Sequence, residues 1–263
     1  MREQKSIPEL IEILRKGTEH LVNMAKGLEF PWNPRLDDPR KLHNMYARNL
    51  ITSYVSKFAD LSNGVLFAIE QQNFLMYALC GRALLETTAI LRYYLVEEYK
   101  PLFDKGQLSR EEMRRLIELD DRHLRGGKFD WESFLFQRYS KLRSDAVARL
   151  QSKGKKAKSP DPEALPQQVR IGLCVESWGR ETPEVLVAYN LFCDLVHPNI
   201  GSTFLVASTS AAGLYFSRFR GEPVGRQILE QSLPILLSAS HRTFSQYLAV
   251  LMGTIWQDDE LPS

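Results

Sequence analysis

Two short polar clusters carry most of the chemistry legible in this chain. The first is Arg82 and Glu86, in the run Arg82-Ala-Leu-Leu-Glu86. The second is Asn190, Asp194 and His197, in a segment that closes with Leu195-Val-His197-Pro198. Arg82 and Glu86 are four residues apart, so on a helix they share one face. A guanidinium beside a carboxylate can bind a phosphate-like anion that the carboxylate orients or deprotonates. The same pair can equally be a structural ion pair that also bonds a neighbouring helix. Leu75, Ala78, Ala89 and Tyr93 fall on that face of a helical wheel, so the pair is expected in apolar surroundings. Asn190, Asp194 and His197 follow an i, i+4, i+7 rhythm and are expected to line one polar stripe. Asp194 can hold the His197 imidazole and increase its basicity, and a helix C-terminus favours the protonated ring. His197 then either satisfies terminal carbonyls or serves as a general acid or base facing the first cluster.

A third group is basic. Between residues 137 and 159, Arg138, Lys141, Arg143, Arg149, Lys153, Lys155, Lys156 and Lys158 stand against Asp145 alone. They form either a solvated helix face running into a loop or a surface for an RNA backbone. Asp120, Asp121 and His123 lie in a charged helix without metal-ligand spacing and read as a solvated face. His241 and Arg242 read as packing residues with one polar edge. Cys80, Cys174 and Cys193 show no paired spacing, which points away from a zinc site or disulfide framework and towards a reducing, cytoplasmic setting. No metal and no cofactor are expected. Glycine-rich phosphate loops and nucleophile elbows are missing, so kinase, dehydrogenase and acyl-transfer chemistry find no support.

The elements that must position these residues are helical. With 34 basic and 32 acidic residues the chain is nearly neutral, and its 44% hydrophobic content suits an ordinary globular core. No apolar signal core opens the chain. No uninterrupted apolar run approaches the roughly 18 residues of a membrane span, so no membrane partner is expected. Ser6 with Glu9, Asp38-Pro39 and Ser109 with Glu112 are helix starts. Asn63-Gly64 reads as a break, followed by one apolar helix to about Tyr99, or two meeting near Gly81. Pro198 must end the helix that begins at Thr182-Pro183. A last helix runs from Val224 to Trp256, with Pro234 as its bending point. Residues 201–216 admit a strand pair or a short helix, and 151–168 read as a flexible basic loop. The expectation is a single all-α domain over residues 1–263, an up-and-down helical bundle.

The Arg82-to-Glu86 helix and the later Leu195-Val-His197-Pro198-Asn199 resemble a group of bacterial helical proteins related in pattern to the HEPN superfamily. The resemblance spans residues 40–256 loosely and those two motifs sharply. It implies a HEPN-like core of four or five helices, frequent dimerisation and, in many members, metal-independent ribonuclease activity in defence or toxin–antitoxin systems. The catalytic signature of such enzymes pairs an arginine with a histidine a few residues later on one helix. This chain departs from it: Asn190 stands seven residues before His197, and no arginine lies between Glu181 and His197. Two functions follow. One is a non-catalytic module that binds a partner protein or anionic ligand, with Arg82, Glu86 and His197 as an internal polar network. The other is a ribonuclease using His197 as acid or base and Arg82 to stabilise phosphorane-like charge, with the basic segment holding RNA. The long apolar helices favour a homodimer.

Overall fold

Helices begin where side chains can satisfy their first free N–H groups. A computed structural model describes residues 5–31, 36–103, 109–125, 137–152, 170–198, 202, 207–210, 213–216 and 222–255. In α1 (Ile7–Lys26) the Glu9 carboxylate accepts the Ser6 N–H at 2.7 Å. In α2 (Pro39–Glu70) the Asp38 carboxylate accepts the N–H groups of Arg40 and Lys41 at 2.9 and 3.4 Å.

The expected break at Asn63-Gly64 does not occur. Helix α2 runs through both residues and stops at Glu70. Gly64 is there for packing: a Cβ at this position would lie 2.7 Å from Cys80 Sγ, so its absence lets α2 and α3 (Phe74–Tyr93) approach closely. The turn falls at Gln71–Asn73. Gln72 takes the left-handed conformation with φ 53°. The N–H groups of Gln72 and Asn73 donate to the carbonyls of Ile69 and Ala68 at 3.1 and 2.8 Å, a Schellman closure. The Asn73 side chain then caps α3, accepting from Met76 N–H at 3.0 Å. Gly81 is likewise no break. A Cβ there would come within 2.9 Å of the Phe192 ring, so the glycine is a contact surface inside α3.

After Tyr93 the helix widens into a π-helical turn, Tyr94–Tyr99, and resumes as α4, Lys100–Phe103. Lys100 N–H bonds to the Leu95 carbonyl, five residues back. Pro101 has no N–H and its ring would crowd the carbonyl four residues earlier, which the wider turn relieves. A second π-helical segment lies at the other end of the chain. Pro234 lies inside α9 (Glu222–Ile235), a π-helical segment Leu236–Arg242 follows, and α10 (Thr243–Met252) completes the last helix.

The remaining elements are α5 (Arg110–Arg125), α6 (Tyr139–Ser152), α7 (Ile171–Glu181) and α8 (Pro183–Val196). Ser109 and Glu112 cap α5 reciprocally at 3.0 and 3.2 Å. Helix α8 ends as expected, with His197 extended (φ −81°, ψ 145°) before Pro198. A short antiparallel hairpin, β1 (Ala207–Ser210) and β2 (Gly213–Phe216), pairs Ala207 with Phe216 and Ser210 with Gly213, so the ambiguous stretch contains a strand pair. Residues 151 and 152 still belong to α6, and 153–168 of the expected basic loop lie outside the described residues.

The fold is thus all-α apart from that hairpin. Helices α2 and α3 form a central reversed pair. Helices α1 and α5 pack on α2, α7 and α8 pack on α3, and the 222–252 helix closes over α1, α2 and α3. Phe58 of α2 stacks on Phe244 of α10 with centroids 3.8 Å apart. By length and composition Phe74–Leu102 could cross a membrane, but over half of its most apolar stretch is buried inside this fold, which accounts for its character.

Candidate functional site

The Arg82–Glu86 pair forms as its spacing requires. Arg82 Nε donates to Glu86 Oε1 at 2.8 Å. The hydrogen bond that Arg82 donates to Glu86 raises the guanidinium above its ordinary value, against the opposing effect of partial burial. Helix α8 supplies the third member. Tyr189 Oη donates to the same Glu86 oxygen at 3.1 Å, and the Arg82 guanidinium carbon sits 5.7 Å from the Tyr189 ring centroid. Burial first, and then the Glu86 charge, push the Tyr189 hydroxyl up to about 12. The expected apolar enclosure is only partial. The Arg82 and Glu86 side chains remain 29% and 19% exposed, and Leu75 on that side of the helix is exposed. A face that looks partly outward cannot enclose a charge, whatever its neighbours on a helical wheel.

The second cluster is not where a facing acid or base would need to be. Helix α8 turns Val185, Ala188, Phe192 and Leu195 inward, while Asn190, Asp194 and His197 are exposed. Helices α3 and α8 do meet, through Tyr189 on Glu86 and Phe192 on Tyr77 and Gly81. His197 lies eight residues beyond Tyr189, roughly 12 Å further along the axis at 1.5 Å per residue. The helical phase that puts Phe192 in the core necessarily puts Asn190 and Asp194 outside it.

Three polar networks that the sequence did not disclose are anchored on the buried side chains of Asp120, His123 and Arg92. Asp120, read as part of a solvated face, has no exposure at all. Its carboxylate accepts from His43 Nδ1 at 2.7 Å and from the Tyr94 hydroxyl. The other ring nitrogen of His43 lies 3.3 Å from the Thr254 carbonyl. Burial first, then Asp120, push the Tyr94 phenol well above its ordinary value. His123, also read as solvated, is buried against Tyr94 with ring centroids 4.4 Å apart. Its Nε2 donates to Glu98 at 2.8 Å, and Arg122 pairs with the same carboxylate. Burial alone would raise Glu98; the hydrogen bond from His123 and the nearby Arg122 charge reverse this and leave it lowered. Further along, the buried Arg92 donates to Ser177 at 3.1 Å and pairs with Glu181, while Ser177 donates to Glu97 at 2.8 Å.

One signal in α5 could have revealed Asp120. It stands four residues after Leu116 and seven after Met113, on the inward stripe of that helix. The π-helical turn supplies Tyr94 and Glu98 to these networks, and nothing in the local sequence announces that widening except Pro101.

The basic group divides. Arg138, Lys141 and Arg143 are exposed at the start of α6, and Arg143 lines a shallow cavity of about 440 Å³ with Val147 and Ala148. Arg149 belongs to α6, whereas Lys153, Lys155 and Lys156 lie outside the described residues. No group of three or more His, Cys, Asp or Glu residues among the described residues could hold a metal ion.

Fold and site together define an all-α bundle protein in which a few charged residues, Arg92 and Asp120 foremost, are buried in polar networks. Comparison with protein-family models, curated proteins and solved structures finds no match for the chain.

Proposed function

We propose that this chain is a non-catalytic, cytoplasmic helical interaction module with a HEPN-like core. It binds a partner protein across the outer side of α3, and its polar networks fix helix packing. One observation carries the reading: the Arg82 guanidinium is already engaged by Glu86 and Tyr189, while His197 lies exposed about two helical turns beyond Tyr189. His197, the acid or base of the nuclease reading, does not join Arg82 and Glu86 there. The polar network is therefore Arg82–Glu86–Tyr189, with tyrosine in the position anticipated for histidine. The outer side of α3 instead offers Leu75 and Leu79, both nearly half exposed, beside the ion pair, an apolar centre with a charged border.

The competing reading, a metal-independent ribonuclease, draws on one observation, the exposed Arg138, Lys141 and Arg143. Incubation with a panel of RNAs in EDTA separates the two. The module reading expects no cleavage above buffer and a lowered melting temperature for Arg82→Ala. Cleavage that His197→Ala abolishes overturns it. An Arg82→Ala protein with unchanged melting temperature and oligomeric state removes the structural role of the cluster.

A further inference from the structure

A cavity of about 870 Å³ opens where α1 begins and α2 turns into α3, with α9 as its other wall. Sites for small ligands span roughly 300–1,000 Å³. Its lining is apolar on Ile7, Pro8, Ile69, Phe74 and Leu229. Phe74 and Leu229 are the most buried of these, 8% and 9% exposed. Gly225 holds them in place: a Cβ there would run into the Phe74 ring, so its absence lets α9 sit directly on the first residue of α3. Two exposed charges border this apolar lining, Arg226 and Glu230. They are four residues apart on α9 and so are neighbours on one face. The same order and spacing closes into an ion pair twice elsewhere, Arg82 with Glu86 and Arg114 with Glu118, each at 2.8 Å. Arg226 and Glu230 do not close on each other, and neither has another polar partner among the described residues.

We propose that this cavity binds a small zwitterion with an apolar body, an α-amino acid whose side chain is large and hydrophobic. Its carboxylate accepts a forked pair of bonds from the Arg226 guanidinium, and its ammonium donates to the Glu230 carboxylate. Its side chain lies on Phe74, Leu229 and Ile69. An α-amino acid carries both charges on one carbon. A single head group therefore reaches two side chains whose Cβ atoms are roughly 5–6 Å apart on one helix face. An apolar carboxylate would bring its charge up to Glu230 unmatched, and an apolar amine would do the same to Arg226. A head group with both charges satisfies both side chains, while the apolar walls exclude a wholly polar ligand. Because Arg226 and Glu230 also face water, affinity is modest, with a dissociation constant on the order of 0.1–1 mM for a ligand of about a dozen heavy atoms.

This site lies on α9 and the α2–α3 turn and does not use the Arg82–Glu86–Tyr189 cluster, so it stands or falls separately from the interaction-module reading. The test is calorimetric titration of the full chain with three probes: free phenylalanine, phenylpropionate, which lacks the amine, and phenethylamine, which lacks the carboxylate. Phenylalanine binds one to one, and each analogue binds about ten-fold more weakly or worse, because one charge is left unmatched. Arg226→Gln weakens phenylalanine by about ten-fold or more. Glu230→Gln weakens phenylalanine to a similar degree and tightens phenylpropionate relative to wild type, since the repelling carboxylate is gone. Both positions are exposed, so circular dichroism and melting temperature are expected to match wild type. Should either variant unfold, the ranking of the three probes on the wild-type protein decides alone. No binding of phenylalanine up to about 20 mM, either analogue binding as tightly as phenylalanine, or phenylalanine affinity unchanged in both folded variants overturns the proposal. RNA cleavage sinks the module reading and leaves this site standing; a protein that cleaves no RNA and binds no phenylalanine sinks only the site.

Discussion

His241 offers a quantitative test of how the last helix packs. It lies at the end of the second π-helical segment, wedged against α1 and α2. Its Nε2 is 3.3 Å from Ser62 Oγ, and its ring meets Phe58 edge-on at 5.1 Å. Gly17 of α1 is so close that a Cβ there would sit 3.5 Å from Nδ1. Burial penalises the charged ring and pulls His241 from 6.5 down to about 4. Between those values the unfolded chain takes up a proton that the folded chain refuses. Stability contributed by the neutral ring is therefore full above about pH 6.5 and declines as pH falls towards 4. At 1.36 kcal/mol per pH unit the whole loss is about 3 kcal/mol, most of it spent by pH 4.5. Urea unfolding of wild type and His241→Gln, followed by circular dichroism from pH 7 to 4.5, isolates this group from the other carboxylates and histidines. The stability difference between the two proteins is expected to shrink, in wild type's disfavour, by about 2–3 kcal/mol across that range. Parallel curves would refute the assignment of a neutral, enclosed His241.

The other expectations concern particular contacts. Gln72→Gly should raise stability by up to about 1 kcal/mol, because glycine takes φ 53° without the cost of a Cβ; a lower melting temperature would contradict the Schellman closure. Gly81→Ala should lose about 1 kcal/mol despite alanine's better helix propensity, since its Cβ would press on Phe192; a gain in melting temperature would show that α8 gives way freely. Asp120→Ala leaves His43 and Tyr94 without their shared acceptor and should cost about 3–5 kcal/mol in denaturant unfolding. A loss below 1 kcal/mol would mean that water reaches the cavity and replaces the carboxylate.

Local information was enough for several of the helix ends. Ser6 with Glu9, Asp38, Ser109 with Glu112, Thr182-Pro183 and Pro198 act on N–H groups or backbone angles within a few residues of themselves, so their effects are legible in the order of side chains. The Arg82–Glu86 pair is of the same kind, since helical spacing alone brings the two groups together. Glycine misled for the opposite reason. Gly64 and Gly81 look like interruptions along the chain, yet each marks where another helix comes close, and only the partners Cys80 and Phe192 reveal that.

The chain by itself determined the all-α character, several helix limits and one ion pair, because periodicity and capping are properties of neighbours. Tertiary structure decided which charges are inside. It buried Asp120 and His123 against His43, Tyr94 and Glu98, left Asn190, Asp194 and His197 in solvent, and put Tyr189 beside Arg82. Burial of a polar group depends on partners dozens of residues away that offset its lost hydration. The phase of α8 against α3, set by Phe192 on Gly81, is one such long-range fact, and with it the assembly of Arg82, Glu86 and Tyr189 follows.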